Sequence, residues 1–95
     1  MAENARLHAW IEGHVQGVGF RYFVRESAAG FPITGWVRNC HDGSVELVAE
    51  GDREDLEKFL SMIKEGPRGS LVTDVRVNWE HATGKYDQFG IQATA

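Results

Sequence analysis

Between Arg6 and Ile63 the spacing of apolar residues switches between two periods, and the order of switching restricts the fold more than any other feature. From Arg6 to Glu12, apolar Leu7, Ala9 and Ile11 alternate with His8, Trp10 and Glu12, the pattern of a half-buried strand. Phe20, Phe23, Val24 and Ala28 then keep helical spacing, and Gly30 with Pro32 stops that helix. Ile33 to Cys40 reads as a second strand. The Asp-Gly pair in His41–Ser44 signals a tight turn into a third, Val45 to Ala49. Asp52 is placed to cap a second helix with an apolar stripe at Leu56, Phe59, Leu60 and Ile63, ended by Gly66 and Pro67. Val75, Val77 and Trp79 mark a fourth strand, and Phe89 and Ile91 a short last one. The order β-α-β-β-α-β plus a terminal strand is the split βαβ, ferredoxin-like α+β arrangement, with two helices on one face of an antiparallel sheet.

The 95 residues are expected to form one domain spanning 1–95 and to stand alone. So short a chain favours a shallow site on one edge over a large multi-subsite centre. The net charge of −4 argues against general attraction to nucleic acid or to an anionic membrane, so an anion has to be captured locally. Cys40 is the only cysteine, which excludes an internal disulfide. No segment reaches membrane-spanning length, and the expected setting is the cytoplasm, with the protein a monomer. His8, His14, His41 and His81 show no metal-ligand spacing, and no metal or organic cofactor is expected. Trp10, Trp36 and Trp79 invite a base-stacking reading in this fold, but the chain is acidic and lacks the aromatic run such binding needs, so packing on strands is expected instead.

One stretch carries more glycine than a turn requires. In GHVQGVGFR, Gly13, Gly17 and Gly19 precede Phe20 and Arg21 where the first helix begins. A strand-to-helix turn often needs one glycine with positive φ, which is the structural reading. The stretch lacks the Gly-Lys-Ser/Thr ending of a nucleotide loop. The amides of Val15, Gln16, Gly17, Val18 and Gly19 can instead converge on an anion, helped by the positive end of the helix. Arg21 in the first helical turn is mildly unfavourable beside that positive end unless an anion neutralises it. It could close over a phosphate through two parallel charge-assisted hydrogen bonds. His14, at the same connection, is read as solvent-facing.

A second stretch, GWVRNCHDGSVE, puts Asn39 at a strand end before the turn. Turn capping is its structural role, but a carboxamide both donates and accepts, and so can also orient a water molecule. GHVQGVGFR and GWVRNCHDGSVEL, followed by an acid-capped helix and a terminal strand with Phe89 and Ile91, together resemble the acylphosphatase family from about Leu7 to Ile91.

The resemblance implies hydrolysis of the carboxyl–phosphate bond of small-molecule acylphosphates, without metal or cofactor. It implies that the Val15–Gly19 amides and Arg21 hold the phosphoryl group and that Asn39 positions the attacking water. An alternative is a non-catalytic domain of the same family that binds phosphate-bearing ligands or a partner, as in larger hydrogenase-maturation proteins. Cys40 stands where many relatives carry threonine, so a weaker hydrogen-bond partner flanks Asn39. Cys40 is taken as a strand-end residue and not a reactive one, because nothing nearby in sequence lowers its pKa.

Overall fold

A computed structural model describes residues 3–95. Seven elements follow the expected order: β1 (Asn4–His14), α1 (Phe20–Ala28), β2 (Thr34–Asn39), β3 (Val45–Asp52), α2 (Arg53–Glu65), β4 (Leu71–Glu80) and β5 (Phe89–Ile91). They build one five-stranded sheet in the order β4-β1-β3-β2-β5. The first four strands pair antiparallel, as the alternating patterns led one to expect. β5 departs from that pattern and makes the sheet mixed. It pairs parallel to β2, with Gly35 opposite Phe89. The reason is topological: the chain returns from β4 across the sheet and reaches the free edge of β2 from its amino end.

Side-chain alternation divides the sheet into two unlike faces. Leu7, Ala9 and Ile11 of β1 and Val37 of β2 are fully buried, under a helical layer that brings in Phe20 and Val24 from α1 and Leu56, Phe59 and Ile63 from α2. Burying a phenylalanine side chain such as Phe20 or Phe59 is worth about 1.5–3 kcal/mol, so these contacts hold α1 and α2 against the sheet. Asp52 caps α2, its carboxylate accepting from the Glu54 amide at 2.9 Å, and Gly66 ends the helix at φ 71°. Among the described residues no helix is long and apolar enough to cross a membrane.

The opposite face is polar and aromatic. His8 stacks on Trp10 with ring centroids 4.0 Å apart, and the Arg38 guanidinium lies 4.6 Å from the Trp36 ring. All three tryptophans are half-buried on strands, as expected. Glu46 and Glu50 are buried on this face. Glu46 meets His8 Nε2 at 2.7 Å and Arg38 Nη2 at 2.9 Å, whereas Glu50 accepts from the amides of Thr83 and Gly84. Burial pushes both carboxyls up, but these hydrogen bonds outweigh it and hold both below their ordinary values.

One topological fact positions the site. β1 and β2 flank β3 and both run antiparallel to it, so they point the same way. Their carboxyl ends emerge at one end of the sheet. Ile11 and Asn39 lie opposite the same residue, Val45, and are therefore about 10 Å apart across two strand spacings.

Candidate active site

The connection from β1 to α1 leaves the sheet beside Asn39. Its glycines do two separate jobs. Gly13 belongs to the sheet: β1 shifts register against β4 between Glu12 and Gly13. At φ 127°, any Cβ on Gly13 would run into the Leu71 carbonyl. Gly13 is thus a bulge residue that keeps β1 close to β4, and it corrects the reading of three glycines in one loop. His14 likewise ends β1 and is exposed.

Gly17 and Gly19 both adopt φ 76°, and beyond the adjoining residues of the chain no atom lies within 4 Å of where a Cβ would stand. Their requirement is therefore conformational: the left-handed region costs other residues about 1–2 kcal/mol. Gly19 is the N-cap of α1 and offers no side chain to its amides. The first helical hydrogen bond runs from the Phe23 amide to the Gly19 carbonyl at 3.0 Å, so the amides of Phe20, Arg21 and Tyr22 have no partner within the helix. The first turn also carries no acidic residue.

These amides border a cavity of about 160 Å³. Val15, Gly17 and Gly19 line it from the loop, Arg21 and Tyr22 from the helix, and Asn39 from the end of β2. Five of the residues singled out from sequence, Val15, Gly17, Gly19, Arg21 and Asn39, thus meet at one place. The side chains of Gln16 and Val18 go elsewhere. Val18 packs against the core, and Gln16 reaches across to the β2–β3 turn, where its amide nitrogen donates to the carbonyls of Cys40 at 2.8 Å and Ser44 at 2.9 Å. Tyr22 was not anticipated on the cavity wall. Its ring is 62 % exposed, and Arg25 lies 4.9 Å from it. The i, i+1 step from Arg21 was the only sequence signal that could have suggested it.

Arg21 is half-buried and, among the described residues, pairs with no carboxylate, whereas Arg6, Arg38 and Arg53 all do. An arginine with no carboxylate partner among the described residues, beside helical amides that have no intrahelical acceptor, gives this cavity the groups that favour an anion. The chemistry suits an anion small enough for a cavity of this size. A larger open groove, of about 460 Å³, lies at the other end of the sheet and is lined by Glu50, Asp52 and Asp55, the wrong sign for an anion. Among the described residues no three His, Cys, Asp or Glu side chains converge to hold a metal ion.

Asn39 is held by its backbone. Its carbonyl accepts from the Ala95 amide at 3.0 Å, and the His41 amide returns a bond to the Ala95 carbonyl at 2.9 Å. The chain after β5 therefore continues alongside β2 and brackets the asparagine. Cys40 turns its thiol towards Glu46, 3.6 Å away, on the polar face. Burial pushes the Cys40 thiol up from its ordinary value, and the nearby Glu46 carboxylate adds to that. The thiolate is disfavoured, in keeping with an unreactive strand-end residue.

A split βαβ domain thus brings a glycine-rich loop, an arginine with no carboxylate partner among the described residues and an asparagine together at the shared end of β1 and β2. Comparison with known proteins makes the assignment specific. The family model for acylphosphatase matches residues 7–91. An acylphosphatase of Pyrobaculum islandicum is 44% identical over 93 residues, covering 97% of this chain and 98% of that protein. The crystal structure of acylphosphatase from Bacillus subtilis superposes with a TM-score of 0.89 at 39% identity, covering 93% of this chain and 98% of that one. The HypF of T. kodakarensis also matches, at 29% identity and a TM-score of 0.82, but the match covers only 12% of that chain. The chain belongs to the acylphosphatase family.

Proposed function

We propose that the cavity between the Val15–Gly19 loop and Asn39 is where this enzyme hydrolyses the carboxyl–phosphate bond of acylphosphates. The observation that carries the reading is that Arg21, unpaired among the described residues, and Asn39 line one small cavity together with Gly17 and Gly19. A mixed anhydride is already activated, and its carboxylate leaves readily. Catalysis then requires holding the phosphoryl group, stabilising charge on its equatorial oxygens and placing water in line.

The loop amides and the first-turn amides of α1 are oriented before substrate arrives, so their dipoles cost no rearrangement. Arg21 supplies the one full positive charge and a bidentate grip on two phosphoryl oxygens. The Asn39 carboxamide accepts from the attacking water and directs its lone pair at phosphorus. As the water oxygen bonds to phosphorus, the bond from phosphorus to the acyl oxygen breaks and the carboxylate leaves with that electron pair. The water proton passes to a phosphoryl oxygen, so the products are carboxylate and dihydrogen phosphate, and no side chain acts as general base.

The test is a steady-state assay on benzoyl phosphate. Benzoate and phosphate are expected in equal amounts, with inorganic phosphate competing for the site. Hydrolysis unaffected by saturating inorganic phosphate would remove the cavity as its location.

A further inference from the structure

We propose that the side chain of Gln16 is a positioning residue: it locks the phosphate-side loop to the turn after Asn39 and so fixes the distance between the phosphoryl group and the water. The proposal rests on the reading of Asn39 as the residue that orients water.

The tether is made where the sheet cannot supply one. β1 follows β3 only as far as Ile11 opposite Val45, and then continues against β4 alone through Gly13 and His14. Beyond that point no strand ladder joins the β1–α1 loop to the β2–β3 turn. Gln16 crosses the gap with both hydrogens of one carboxamide nitrogen, donating to Cys40 O at 2.8 Å and Ser44 O at 2.9 Å. These carbonyls also close the turn. The Cys40 amide donates to Ser44 O at 2.8 Å, and the Gly43 amide to Cys40 O at 3.1 Å. Gln16 therefore grips the turn at the two atoms that define its shape, one residue from Asn39.

Asn39 is then held from two sides, by the backbone of Ala95 on its outer flank and through the turn by Gln16 on the loop flank. Only the second hold refers Asn39 to the loop that carries Gly17 and Gly19. Loss of that reference leaves both half-sites folded but lets their separation vary. A displacement of about 1 Å in such an arrangement can cost as much as a hundred-fold in rate.

The experiment is a double-mutant cycle on hydrolysis of benzoyl phosphate, with Gln16→Met as the variant that keeps length and removes both donors. Gln16→Met is expected to lower kcat about ten-fold or more while the inhibition constant for inorganic phosphate stays within about two-fold. In an Asn39→Ala background, Gln16→Met is expected to change the residual kcat by less than about two-fold, because the group it positions is gone. Losses that multiply across the cycle overturn the proposal, as does a Gln16→Met variant with unchanged kcat or with phosphate affinity falling in step with turnover. If Gln16→Met does not fold, Gln16→Ala replaces it, since it removes both donors without adding charge beside the phosphate loop; the same outcomes decide. An Asn39→Ala enzyme with full turnover would instead sink the reading of Asn39 on which the proposal stands.

Discussion

Arg21, in the first turn of α1, and Asn39, the last residue of β2, line one cavity of about 160 Å³, and no carboxylate among the described residues neutralises the arginine there. A cation left without a partner at a helix amino end is mildly unfavourable in the empty protein and becomes favourable once an anion arrives. Arg21→Ala is therefore expected to lower kcat/KM on benzoyl phosphate by about a hundred-fold or more and to abolish competition by inorganic phosphate, while the melting temperature stays level or rises. Arg21→Lys is expected to recover little, because an ammonium cannot reproduce the two-pronged grip. Full activity in either variant would contradict the assignment.

The division of labour among the glycines predicts a contrast between two substitutions. Gly13→Ala meets both an unfavourable φ of 127° and the Leu71 carbonyl, and is expected to cost about 3 kcal/mol of stability. Gly19→Ala meets no atom and is expected to cost about 1–2 kcal/mol for its left-handed backbone alone. The effect on phosphate binding runs the other way. Thermal stabilisation by added phosphate is expected to survive in Gly13→Ala and to shrink in Gly19→Ala, where the cap must distort. Equal loss of phosphate stabilisation in both would return Gly13 to the binding loop.

Acid sensitivity follows from Glu46 and Glu50. Their carboxyls are held below the ordinary value in the folded chain, by His8 and Arg38 for Glu46 and by the Thr83 and Gly84 amides for Glu50, despite the opposing effect of burial. A depressed folded-state value means that the stabilisation is fully present above the unfolded-state value, about 4.3 for glutamate, and is lost as pH falls through the lower folded value. Urea midpoints are expected to be level from about pH 5 upwards on account of these two groups and to fall below about pH 4.3. Glu50→Gln is expected to be less stable near neutrality but to lose less on acidification. An unchanged acid slope in that variant would mean that Glu50 does not contribute as described.

The periods of the sequence made the elements and the helical face legible, because alternation at Leu7, Ala9 and Ile11 and the stripe at Leu56, Phe59 and Ile63 are local signals of burial. The meeting of Asn39 with the glycine loop was legible only once the split βαβ topology was assumed and the resemblance of two motifs added, since their proximity depends on β1 and β2 sharing β3 as a neighbour. Pairing across a sheet leaves no trace in local spacing, which is also why the parallel alignment of β5 with β2 was not foreseen. The Gln16 contacts with Cys40 and Ser44 were hidden for a further reason. A glutamine in a loop offers the same chemistry to backbone, solvent or ligand, and only the folded chain selects among them. Gly13 misled because a glycine required for a bulge and one required for a helix cap look alike in one dimension.

In the proposed reaction, binding the phosphoryl group and activating the water fall to different residues of the same cavity. The most direct test of this division compares wild-type and Asn39→Ala enzymes for turnover of benzoyl phosphate and for inhibition or direct binding by inorganic phosphate. Asn39→Ala is expected to stay folded and to bind phosphate within about two-fold of wild type while kcat falls by about a hundred-fold or more. Turnover kept near the wild-type rate, or turnover and phosphate affinity lost together in a folded protein, would contradict that division.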